Sequence, residues 1–107
     1  MEPDNVSFFD QFRALASEAS WKIIGVLAAH KPEPVPVRVL SEELGYKQAT
    51  TSTHLRRLRN ARLVRQQGWH EGYLADTAQI KAVIGQESYT RITQELRGQN
   101  EDRPGQS

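Results

Sequence analysis

The stretch LGYKQATTSTHLRRLRNARLV, residues 44–64, decides how the rest of the chain is read. Leu44-Gly45 is a helix stop, because glycine takes up the left-handed backbone of a C-terminal cap without steric cost. It closes a brief helix over 38–45 (RVLSEELG) whose apolar positions are Val39, Leu40 and Leu44. From Lys47 to Arg62, Thr51, Leu55 and Leu58 recur at spacings of four and three, a narrow stripe to bury on a helix otherwise polar and basic. A short helix ended by glycine, a turn of about three residues and a second helix with polar residues near its start describe a helix-turn-helix. Behind it, LVRQQGWHEGYLA at 63–75 carries β-favouring residues around Gly68 and Gly72 and predicts a two-stranded hairpin, which makes the motif winged.

Working outward, NVSFFDQFRALAS at 5–17 places Val6, Phe8, Phe9, Phe12, Leu15 and Ala16 at helical spacing, with Asn5 or Ser7 as cap. A second amphipathic helix starts near Ser17, uses Trp21, Ile24, Leu27 and Ala28, and must end before Pro32. The proline-rich KPEPVPV at 31–37 is an extended connection in which Val35 to Val37 could add a short strand. Ile80, Val83, Ile84, Tyr89, Ile92 and Leu96 mark a terminal helix over about 77–97, weakened by Gly85. The expected fold is mainly α with a small β-hairpin wing (α+β): about five helices, dimeric, in one winged helix-turn-helix domain over 1–97. Residues 98–107 are expected to form a disordered tail.

With 107 residues the chain is small enough to gain from self-association. It has no cysteine, which removes disulfide frameworks, thiolate metal sites and cysteine nucleophiles. No apolar run approaches the roughly 20 residues that span a bilayer, and Met1 to Phe12 lacks the positive start of a secretory signal; a cytoplasmic, nucleoid-associated location in a prokaryote is expected.

The net charge of +1 conceals a strong asymmetry. No acidic residue lies between Glu43 and Glu71, whereas Lys47, Arg56, Arg57, Arg59, Arg62 and Arg65 contribute +6; the remainder has eight basic and thirteen acidic residues. A single basic segment on an acidic body is the electrostatic footprint of a protein that docks on phosphates with one face. A merely solvated basic helix would intersperse carboxylates. Stepping about 100° per residue from the buried stripe, the opposite face presents Ala49, Thr53, Arg56 and Asn60, flanked by Ser52 and Arg57, with Gln48 on the first turn. Gln48, Ser52, Thr53 and Arg56 are therefore the candidates for reading base edges in the major groove. Lys47, Arg57, Arg59 and Arg62, nearer the edges, suit phosphates.

These residues resemble the second half of the helix-turn-helix of the ArsR/SmtB family of repressors. The matching positions are Leu44-Gly45, Gln48, Thr50, Ser52, His54-Leu55, Leu58-Arg59 and Leu63-Val64, without a gap, and FRALASEASWKIIGVLA at 12–28 resembles the family's opening. The sequence departs from the pattern where Lys47 replaces a serine that caps the recognition helix and where Arg62 replaces a glycine before the closing leucine-valine. The resemblance implies a homodimer through the first and last helices and a pseudo-palindromic operator read by the helix at about 47–60. It also implies that the family's metal sites are missing. Pro36 and Arg38 stand where one site has cysteines, and residues 77–97 hold Glu87 and Glu95 but no histidine for the other.

The other chemistry-bearing residues read as structural. His54 is expected to pack beside the stripe or donate a hydrogen bond, while His30 and His70 lack a second ligand three or four residues away. Trp21 and Phe12 are expected in the core, and Trp69 and Tyr73 are expected to brace the wing, with stacking on a nucleic-acid sugar as the alternative. Glu42 and Glu43 are a helical surface pair, and no nucleophile–base spacing or phosphate cradle occurs, so neither enzyme activity nor a cofactor is expected. The expected function is a metal-independent transcription regulator, a repressor on double-stranded DNA, controlled by a partner protein or a small ligand. The alternative is a winged-helix protein-interaction module serving as a regulatory subunit.

Overall fold

The computed structural model describes residues 7–68 and 72–101. Its elements run α1 (Phe8–Ala14), α2 (Glu18–His30), α3 (Val37–Leu44), α4 (Gln48–Asn60), β1 (Val64–Gln67), β2 (Gly72–Ala75), α5 (Thr77–Ile84) and α6 (Gln86–Glu101). This is a mainly helical fold with one antiparallel hairpin, the winged helix-turn-helix that the sequence predicts. It has six helices among the described residues rather than about five, because the expected terminal helix breaks at Gly85, where φ is 90° and ψ 152°, far from helical values. Its second half then continues to Glu101, four residues into the segment expected to be disordered. Trp69 and His70 lie outside the described residues.

Local chemistry sets the helix starts. The Ser7 and Ser17 side chains accept from the backbone N–H groups of Asp10 and Ser20, capping α1 and α2, and Asp76 caps α5 by accepting from Gln79 N–H at 3.0 Å. The core is built on α2, which packs against α3, α4, α6 and β2. Ile23, Ile24 and Leu27 are fully buried there together with Leu40, Leu55, Leu58, Leu63 and Ile80. Trp21 is also core: its indole N–H donates to the Leu15 carbonyl at 2.7 Å, and its ring meets Tyr89 at 6.0 Å. Burial against that ring raises the Tyr89 phenol pKa above its usual value.

The wing is tied down at its base. β1 and β2 pair in the register Val64 with Ala75 through Gln67 with Gly72. Val35, in the proline-rich connection, bridges Tyr73: Val35 N–H donates to the Tyr73 carbonyl at 3.0 Å and Tyr73 N–H to the Val35 carbonyl at 2.9 Å.

The first helix departs from expectation. Phe12 is 52% exposed instead of buried, and Phe8 and Phe9 are 61% and 63% exposed. Gln11 takes the inward position, its side-chain amide donating to the Ala61 carbonyl at 3.0 Å. The last helices bury more of their apolar residues, with Ile84, Tyr89, Ile92 and Leu96 packed partly against the core. The unsatisfied apolar surface is therefore concentrated on α1, where Phe8 stacks on Phe12 and the Arg13 guanidinium lies over Phe9.

The end of α4 is a Schellman cap with an unusual occupant. Leu63 N–H donates to the Leu58 carbonyl and Arg62 N–H to the Arg59 carbonyl, both at 2.9 Å, which places Arg62 at the left-handed position with φ 65°. A side chain there costs about 1–2 kcal/mol relative to glycine. Arg62→Gly should raise stability by about 0.5–1 kcal/mol, measured by urea denaturation, after allowance for the added freedom of the unfolded chain. A loss of stability would mean that the arginine's own contacts outweigh the backbone strain.

Candidate nucleic-acid interface

The angle between α3 and α4 is fixed by a buried pair of hydroxyls. Ser41 donates to the Thr51 hydroxyl at 2.9 Å, and Thr51 in turn donates to the Lys47 carbonyl at 3.2 Å. Thr51, Leu55 and Leu58 are fully buried, as their spacing predicts, so the opposite face of α4 is left to solvent. Gly45 adopts φ 72°, and Tyr46 N–H donates to the Ser41 carbonyl, which ends α3 and turns the chain into α4.

Seven of the eight candidate side chains are exposed: Lys47, Gln48, Thr53, Arg56, Arg57, Arg59 and Arg62. Ser52 is half-buried on the flank. Gln48, Ser52, Thr53 and Arg56 occupy the first turns of α4, where side chains reach base edges once a helix enters a major groove. Gln and Arg side chains can each make paired hydrogen bonds there, to adenine and guanine respectively. Thr53 is less free than its neighbours, since its hydroxyl donates to the Ala49 carbonyl at 3.0 Å. It presents its methyl group and an acceptor lone pair. Thr50, exposed on the same first turn, is a further base-reading candidate beyond the four chosen from the sequence.

The cations are placed unevenly. Lys47 precedes α4 and makes no capping bond, so the first N–H groups of the helix remain open and no acidic side chain occupies the first turn. Arg56 and Arg57 have no ion-pair partner among the described residues. Arg59 is instead anchored, with Nη1 donating to the Gln66 side-chain oxygen on β1 at 2.9 Å. This links the recognition helix to the wing and holds one guanidinium at their junction. Arg65, on β1, extends the exposed basic surface beyond the helix.

Other candidates fall away from this face. His54 is half-buried, and its Nδ1 has no hydrogen-bond partner among the described residues. His30 Nε2 lies 3.1 Å from Glu43 Oε2, joining α2 to α3 at the surface. Arg38 pairs with Glu42 at 3.6 Å within α3. No described helix is long and apolar enough to cross a membrane.

No curated protein matches the chain. Residues 33–66, which take in α3, α4 and most of the first wing strand, match the model of a family described as bacterial regulatory protein, arsR family. The match covers the turn, the recognition helix and its Schellman cap, the same segment that presents the basic face. Residues 33–66 are thus similar to the helix-turn-helix of arsR-family bacterial regulatory proteins.

Proposed function

We propose that this protein is a homodimeric, sequence-specific repressor that lays α4 in the major groove of a pseudo-palindromic operator. The observation that carries this reading is the exposed row of Lys47, Arg56, Arg57, Arg59, Arg62 and Arg65 in a segment without a single carboxylate between Glu43 and Glu71. A polyanion is the partner such a surface suits, and each phosphate it neutralises releases counterions. In this account Gln48, Ser52, Thr53 and Arg56 read bases; Lys47, Arg57, Arg59 and Arg62 hold the backbone.

The dimer is supported by the three exposed phenylalanines of α1, which a second copy would cover. With two copies related by a two-fold axis, the half-sites lie about one helical turn or a multiple apart. Metal independence is supported by Pro36, which caps α3 through its backbone, and by Arg38, whose charge opposes a cation. Control then falls to a partner protein or a small ligand. The protein works in the cytoplasm on the nucleoid, as a binding protein rather than an enzyme.

The test is selection of a preferred duplex from a random library, followed by binding of Gln48→Ala and Ser52→Ala to that duplex and to its single-base variants. The expected result is a loss of about 1–3 kcal/mol of discrimination at one base pair for each variant, with non-specific affinity nearly unchanged. Equal losses on every duplex would reassign these residues to the backbone, and failure to enrich any sequence would remove the sequence-specific reading.

A further inference from the structure

The first helix is tied to the far end of the recognition helix by a buried amide. The Gln11 side chain, 7% exposed, donates to the Ala61 carbonyl at 3.0 Å, across fifty residues of sequence. Ala61 is the C-cap of α4 and is itself buried. We infer that Gln11 is a positioning residue: it couples cover of the phenylalanine face of α1 to the set of α4, and so to how well the first turns of α4 discriminate sequences. The inference rests on the dimeric DNA-binding reading above and adds a route between its two surfaces.

The cap of α4 leaves this carbonyl for α1. Leu63 N–H takes the Leu58 carbonyl and Arg62 N–H takes the Arg59 carbonyl, whereas the Ala61 carbonyl is met by Gln11. A buried acceptor left without a donor is costly, so this bond matters more than an exposed one. An apolar side chain at position 11 would be buried as readily but would fix no direction. The amide fixes both distance and direction, because a hydrogen bond weakens steeply outside its narrow geometry.

α1 has only seven residues, and isolated helices shorter than about 12–15 residues are marginal in water. Its order and tilt therefore depend on what covers its faces. Of the seven, Gln11 and Ala14 are buried, while Phe8, Phe9 and Phe12 are more than half exposed. A second copy laid on the rings fixes α1 and, through Gln11, the end of α4. Linkage makes the effect reciprocal, so DNA that selects one setting of α4 favours the covered state of α1. The lever is long: the 13 residues of α4 span about 20 Å, and a tilt of about 5° at Ala61 moves the first turn by about 1.7 Å, enough to break hydrogen bonds to bases made there.

The test follows amide hydrogen exchange of Arg62 and Leu63, whose N–H groups form the cap, in the full chain at protein concentrations that sedimentation shows to span the monomer–dimer transition. In wild type their protection should rise with the dimer fraction about tenfold more than that of the fully buried Ile24 and Leu27, which report global unfolding. Gln11→Met keeps the length of the side chain and loses its donor. It should still dimerise at high concentration but show no excess protection at the cap, and its affinity ratio between the selected operator and an arbitrary duplex should fall about tenfold. Gln11→Glu, acceptor-only when ionised, carries the same expectation if Gln11→Met does not fold. A wild-type dimer without excess protection at Arg62 and Leu63 overturns the inference and leaves the dimer standing. So does a Gln11→Met protein that loses only stability in urea and keeps both the excess protection and the ratio. A wild type that stays monomeric, or that binds operator and arbitrary duplex alike, overturns the inference together with the reading beneath it.

Discussion

Gly72→Ala should cost about 3–5 kcal/mol and lower the melting temperature by at least about 12 °C. Gly72 has φ 121°, and a Cβ built on it would overlap the carbonyl group of Val35 and the nitrogen of Pro36. Those atoms are backbone, so no side-chain rotation relieves the overlap. The wing would have to leave Val35, breaking the two hydrogen bonds that join Val35 to Tyr73, each contributing about 1 kcal/mol, in addition to about 1–3 kcal/mol of strain at the positive φ. A domain of this size shifts by about 4–8 °C per kcal/mol, and total stabilities of about 5–15 kcal/mol leave little reserve. Gly25→Ala is the natural control. An added Cβ there meets nothing within 4 Å, and the site is an exposed turn of α2, so the substitution should stabilise by about 0.5–1 kcal/mol. Denaturation curves within 1 kcal/mol of wild type for Gly72→Ala would mean that the wing is not clamped to Val35.

The second large effect concerns assembly. Phe8→Ser with Phe12→Ser should leave a folded monomer and reduce operator affinity by about 10²–10⁴-fold, the loss expected when two linked half-site contacts become independent. Both rings are more than half exposed in the single chain, so their removal takes little from its core. Covering them in a dimer, with Phe9, would contribute on the order of 1 kcal/mol for each of six rings. Sedimentation velocity on wild type and the variant, alongside circular dichroism, checks this. A wild-type monomer at micromolar concentration would remove both the dimer and the palindrome.

The recognition segment was legible in the sequence because local rules govern it. Gly45 ends α3 with the left-handed backbone that its type allows, the Thr51, Leu55, Leu58 stripe is buried as its period requires, and Lys47 leaves its helix uncapped because ammonium cannot accept a hydrogen bond. Arg62 also carried a local signal. It stands where the resembling pattern has glycine, and its φ of 65° supplies the physical reason for that preference. What escaped was non-local. Apolar spacing on α1 predicts a stripe but not which partner covers it, and the inward place went to Gln11 through a bond to Ala61, fifty residues away. The Arg59–Gln66 link likewise depends on how β1 returns past α4, which neither segment's pattern encodes.

The central claim, that α4 and its flanking arginines bind duplex DNA, is tested most directly by the salt dependence of affinity for the selected operator. If Lys47, Arg57, Arg59 and Arg62 of both protomers hold phosphates, log K should fall against log[salt] with a slope of about −7, close to 10⁴-fold between 50 and 200 mM. An affinity that does not change with salt would contradict the account.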